Sequence, residues 1–159
     1  LMPCNLYGPH DNFDTKNSHF IPALIKKFIE SKRKKIKQVE IWGSGHPKRE
    51  VMHVDDLSSA IYFLVKKKLK NDSTILKIIK KNSLINVGSN IELTIKQFAE
   101  KICQIEKINR KLIFNKSFPD GTKRKILDIK ILSNLGWRSK VSLKKGLSKT
   151  IKWYKENYL

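Results

Sequence analysis

The stretch Asn5–Phe28, "NLYGPHDNFDTKNSHFIPALIKKF", decides how the chain is read. A short apolar strand, written "LMPCNLYG" from its start and ending at Gly8, runs into a polar loop that stops at one amphipathic helix. In that helix Phe20, Ile21, Leu24, Ile25, Phe28 and Ile29 recur at the three-and-four spacing that gathers side chains on one face. Ser18 is its expected N-cap, and Pro22 falls in the first turn, where a missing N–H costs little. Loop and helix start carry His10, His19, Asn12 and Asn17, a density of hydrogen-bonding groups that suits chemistry.

The same alternation continues downstream. "QVEIWG" (38–43), "EVMHV" (50–54), "LINVG" (84–88) and "KLIFN" (111–115) read as strands. "DDLSSAIYFLVKKK" (55–68) reads as a helix, acidic at its start and basic at its end as the peptide dipoles favour. "TIKQ" (94–97) is a capping box before Ile95, Phe98, Ala99, Ile102 and Cys103 at helical spacing, and Ser142 caps a last helix striped by Leu143, Leu147, Ile151 and Tyr154. "FPDGTKR" (118–124) is a polar loop with a turn at Asp120-Gly121. The lysine-rich stretch 66–81 is the expected flexible connector. Short strands alternating with helices define an α/β class. With 159 residues, 40% of them apolar, the chain is read as a single unit over 1–159.

A formal net charge of +20 raises the question of a polyanionic partner. Lysine supplies 29 of the 34 cations and recurs throughout the chain beside 20 isoleucines and 11 asparagines, which reads as coding bias. The basic runs at 31–37, 66–70 and 77–81 lie near helix ends with little aromatic interleaving for base stacking, so a solvated surface is preferred to a nucleic-acid module. Cys4 and Cys103 form no disulfide frame and no zinc spacing, and no apolar run is long enough for a membrane span. A reduced, cytoplasmic protein is expected.

Isolated motifs carry little. "GSG" (43–45) is too short for a dinucleotide fingerprint. Tyr62 and Lys66 have the i, i+4 spacing of a dehydrogenase pair, but they sit in a helix whose Ile61 and Leu64 read as core. His53, Asp55 and Asp56 could imitate a metal site, yet the two carboxylates are better explained as a helix cap, and no metal is expected.

In combination the motifs carry much more. "NLYGPHDNF", "NSHFIPAL", "WGSG.P.RE", "HVDD", "INVG", "PDGT.RK" and "LGW", in this order and spacing, resemble the GDP-L-fucose synthases, NADPH-dependent enzymes of the extended short-chain dehydrogenase/reductase superfamily. The resemblance runs from Pro3 to the final helix. It implies a C-terminal portion of such an enzyme: a substrate-binding α/β domain plus the last elements of a Rossmann domain, with the strand at 1–8 among them. The glycine-rich cofactor turn, the catalytic Ser and Cys, and the Tyr-x-x-x-Lys pair of the family have no counterpart here. The N-terminal half is thus expected as a missing partner, and this portion alone is expected to be inactive. The complete enzyme pairs as a homodimer in this family.

The resemblance further implies a substrate, GDP-4-keto-6-deoxy-D-mannose, and a cofactor, NADP(H). By itself a histidine at a helix start reads as a surface or capping residue; the resemblance makes His19 the catalytic proton carrier for epimerisation at C3 and C5. A helix N-terminus disfavours imidazolium, which keeps a neutral imidazole at hand. Pro3, Cys4, Asn5 and Leu6, with His19, match the nicotinamide side of the cofactor site. Lys27, Trp42, Arg49, Asp120 and Lys125 match substrate-binding positions, Arg49 and Lys125 as the cations for the two phosphates. Lys27 departs from the arginine of some members, keeping the charge without the rigid fork. His19 is expected to share one cleft with Trp42 and Arg49. An enzyme for another nucleotide sugar is the remaining alternative within the superfamily.

Overall fold

The computed structural model describes residues 1–14, 17–70, 72–81 and 84–159. The opening strand is not one strand but two. Its first part, β1 (Met2–Pro3), pairs in parallel with β5 (Asn86–Val87); its second, β2 (Asn5–Tyr7), pairs in parallel with Val51–His53 of β4 (Lys48–His53). Cys4 sits at the switch, its N–H still donating to Val87 while Asn5 has crossed to the second sheet. Strand β4 is the hub of that sheet. It also takes β6 (Glu92–Thr94) antiparallel and β8 (Arg124–Lys125) in parallel, with Arg49 in register with Lys125. A separate parallel pair joins β3 (Gln38–Trp42) to β7 (Lys111–Asn115).

Two apolar cores lie around these sheets. One gathers α1 (Phe20–Arg33), α4 (Ile95–Glu106) and α6 (Leu143–Tyr158) against β3, with Phe28, Phe98, Ile102 and Leu147 sealed from solvent. The other holds α2 (Val54–Leu69), α3 (Ser73–Lys81) and α5 (Lys130–Asn134) on β1 and β5 through Ala60, Ile75, Val87 and Leu132. Helix α4 opens with the expected capping box, Thr94 and Gln97 exchanging bonds of 3.1 and 2.8 Å. Ser142 caps α6 through Lys145, and Leu147, Ile151 and Tyr154 form its buried stripe; Leu143 is half-buried at its start.

Four expectations are corrected. The N-cap of α1 is His19, not Ser18, whose buried hydroxyl has no partner among the described residues. The cap of α2 is His53, whose Nδ1 accepts from the Asp55 N–H, while the buried Asp56 carboxylate reaches across to the amides of Lys140 and Val141. Ile61 faces solvent, while Ala60 and Leu64 are buried. The lysine-rich stretch 66–81 is mostly helical rather than a connector: Ile75 docks in the second core and Asp72 both caps α3 and pairs with Lys67 at 2.8 Å. Asn71, in the same stretch, lies outside the described residues. The basic runs do end helices, as expected. No helix among the described residues is long and apolar enough to cross a membrane.

Candidate active site

Where one chain segment leaves a sheet for another, a gap opens beside it. Here the gap is a cleft of about 440 Å³ lined by Pro3, Cys4, Asn5 and Leu6, by the loop residues His10 and Asp11, by His19, and by Lys125 from β8. Six residues singled out in the sequence therefore meet in one place. The wall is firmly built. Asn5 donates from Nδ2 to the Glu50 carbonyl at 2.8 Å, tying the strand switch to β4. Gly8 lets the chain turn against Val54, because a Cβ there would overlap that side chain. Burial, reinforced by the Glu50 charge, pushes the Cys4 thiol up to about 12, so it stays protonated and serves as a neutral wall.

Glu50 is itself anchored. Its fully buried carboxylate accepts from the amides of Ser89 and Asn90 through Oε1 and from Leu127 through Oε2, at 2.8, 2.8 and 2.9 Å. Sequence reading passed over this residue, although a glutamate inside an apolar strand is a signal of buried acceptors.

At the mouth, His19 is exposed, set by the first turn of α1. His10, held at a φ of 65°, lays its ring 4.7 Å from Trp153 of α6 and carries Asp11 to the same cleft. Burial pushes the Asp11 carboxyl up, against the pull of the Asn12 amide and of the His19 charge. An imidazole open to solvent, beside a carboxyl, a neutral wall and one lysine, can exchange protons with a ligand.

Trp42 and Arg49 do not line this cleft, contrary to expectation. Trp42 projects from β3 into a smaller groove on the other side of the α1 start, where Ser18, Phe20 and Lys27 join it. Its Nε1 donates to Glu40 Oε1 at 3.1 Å; Lys27 Nζ stands 4.6 Å from the indole centre and donates to the Glu40 carbonyl at 3.0 Å. Burial lowers the Lys27 pKa. Arg49 points its guanidinium at the carbonyls of Lys48, Asp120 and Thr122. Asp120 is engaged too: both carboxylate oxygens accept from Ser44, one from its N–H and one from its hydroxyl, each at 2.6 Å. The Ser44 hydroxyl bond accordingly holds the Asp120 carboxyl below the usual range. Gly43, at a φ of 81°, makes room for that carboxylate. Trp42 is thus engaged with Lys27 and Glu40, and Arg49 is turned onto the loop it supports.

The Tyr62–Lys66 pair is a surface contact, the ammonium 5.8 Å from the ring centre of a well-exposed tyrosine. Among the described residues no three metal-ligating side chains cluster.

Comparison with known proteins gives the family. The model of the NAD dependent epimerase/dehydratase family matches residues 1–87, which include the strand switch, His19, Trp42 and Arg49. The chain belongs to this family. A GDP-L-fucose synthase of Escherichia coli strain K12 is 42% identical over 161 residues, taking in 99% of this chain and 48% of the relative. The crystal structure of a GDP-L-fucose synthetase from Naegleria fowleri bound to NADP has a TM-score of 0.80 at 23% identity, covering 99% of this chain and 46% of that one, a likeness of fold. A GDP-mannoheptose C4 reductase from Campylobacter jejuni with NADP bound has a TM-score of 0.76 at 29% identity, covering 96% and 51%. This epimerase/dehydratase chain spans about half the length of the curated relatives it matches.

Proposed function

We propose that this chain is the substrate-side portion of a cytoplasmic, NADPH-dependent enzyme that converts GDP-4-keto-6-deoxy-D-mannose to GDP-L-fucose, completed by a cofactor-binding half and working as a homodimer. The observation that carries the reading is the meeting of Pro3–Leu6, His19 and Lys125 in one cleft at the strand switch.

The C4 ketone of the substrate acidifies the hydrogens on C3 and C5, since loss of either gives an enolate. Inversion removes a proton from one face of each centre and delivers one to the opposite face: the His19 imidazole handles one of the two transfers and a cysteine outside this chain the other. Asp11, beside it, stabilises the imidazolium formed in between. Lys125 meets a phosphate at the cleft edge. Arg49 and Asp120 hold the loop that borders the nucleotide, and Trp42 with Lys27 forms the wall for its base. The neutral lining of Pro3, protonated Cys4 and Leu6, with Asn5, fits the nicotinamide end of the cofactor. When bound, NADPH supplies the hydride that reduces C4.

The test pairs the chain with a cofactor-binding half and follows NADPH oxidation and product stereochemistry. His19→Gln is expected to lower formation of the epimerised product by about 10²- to 10⁴-fold, while reduction of the unepimerised ketone persists. Undiminished epimerisation in that variant removes the role of His19. A second reading, reduction of a different GDP-bound 4-ketone, draws on the 29% identity to the GDP-mannoheptose reductase. Thermal shifts with GDP-, UDP- and dTDP-sugars separate the readings.

A further inference from the structure

One aromatic contact has no part in either core. Phe118, in the loop between β7 and β8, stacks on Trp42 with ring centres 4.3 Å apart and planes 10° from parallel. Both rings remain open to solvent, at 46% for Trp42 and 36% for Phe118, so this pair is not there to seal an interior. The two partners are held very differently. Trp42 belongs to a strand and has its indole N–H fixed on Glu40. Phe118 hangs between two anchors. Before it, the Asn115 side chain accepts from the N–H and the hydroxyl of Ser117; after it, Asp120 is clamped by Ser44, and Arg49 grips the Asp120 and Thr122 carbonyls. Between them the Phe118 N–H donates to the Asn115 carbonyl at 3.3 Å, and the side chain can swing about its own bonds without dismantling a hydrogen bond of the loop.

We propose that Trp42 and Phe118 are the two jaws of a clamp for the purine base of a nucleoside diphosphate, with Phe118 the moving jaw. The proposal rests on the reading of Trp42 as a wall of the nucleotide pocket and adds a residue to it. A flat base between two rings needs about 3.5 Å on each side, so the jaws open to about 7 Å and close again on the ligand. Stacked together, the rings cover each other, which hides apolar surface until a base replaces it. Lys27, 4.6 Å from the indole centre, adds a cation at the same jaw and suits an electron-rich base carrying a phosphate tail. Larger fused rings gain more from a two-sided stack than single rings do, so the clamp favours purine over pyrimidine nucleotides.

Calorimetric titration of the chain with GDP and with UDP tests this. Phe118→Ala is expected to weaken GDP binding about tenfold, Phe118→Leu by less, and Phe118→Tyr to leave it unchanged, while the preference for GDP over UDP shrinks in the alanine variant. Circular dichroism confirms the fold of each variant, which an exposed loop position should not disturb. If wild type binds GDP, Trp42→Ala loses it and Phe118→Ala binds as well as wild type or better, the clamp is overturned and the nucleotide reading stands. If wild type binds no GDP, both fall.

Discussion

The mouth of the cleft at His19 and the loop that Arg49 supports make an instructive contrast. Both are rich in polar side chains, and both lie at the surface. At the first, the exposed imidazole of His19 faces the cleft with Lys125 and Asp11. At the second, Arg49, Asp120, Ser44 and Asn115 spend hydrogen bonds on one another and on loop carbonyls. Residue type alone does not separate a group offered to a ligand from one already engaged in holding the backbone.

The strongest way to break the contrast is at Glu50, on the engaged side. Glu50→Ala removes a fully buried carboxylate and with it the acceptor of three part-buried amide bonds, so a loss of roughly 3–5 kcal/mol is expected in chemical denaturation. His19→Gln, on the open side, should change stability by less than about 0.5 kcal/mol. A comparable loss from both would erase the distinction. Next comes Gly43→Ala, which forces a Cβ onto the Asp120 carboxylate at a positive φ and should cost about 1–2 kcal/mol in the same measurement. A neutral outcome there would mean that the 118–122 loop is not held as tightly as its bonds suggest.

The smallest effect concerns His53, which lies beneath the switch with its ring edge-on to Tyr7. Burial lowers its pKa, with the Asp55 charge opposing and the Lys149 charge assisting. The unfolded chain therefore binds the proton more readily than the folded one. The stability this contributes is present above the unfolded value of about 6.5 and is lost as pH falls through the lower folded value. Melting curves from pH 7.5 to 5 should show the decline, and His53→Asn, which keeps a cap for α2, should flatten it.

Much of this was legible in the chain. The helical face from Ile21 to Ile29, the strand at "QVEIW" and the capping box at Thr94 depend on neighbours within four residues, and each appears as read. The cleft residues Pro3 to Leu6, His19 and Lys125 line one cleft, β2 and β8 both pairing with β4. Less was legible wherever a distant atom had a say. Ser18 looked like the cap, but α1 begins one residue later; Asp55 and Asp56 looked like caps, but His53 holds that place and Asp56 is drawn to a loop 84 residues away. Lysines made 66–81 look loose, whereas Ile75 finds a core to enter.

By itself the sequence determined the α/β order of elements, their faces and the family signature, since these rest on periodicity and local hydrogen bonds. Only the tertiary structure decided that residues 2–7 divide between two sheets, that the His19 cleft and the Trp42 groove lie apart, and that Arg49 and Asp120 hold a loop. Those outcomes depend on which partner atoms arrive from distant parts of the chain, Asn86 beside Met2 and Asp120 beside Ser44, and the competition for a donor or acceptor is settled only once the sheets and helices have packed.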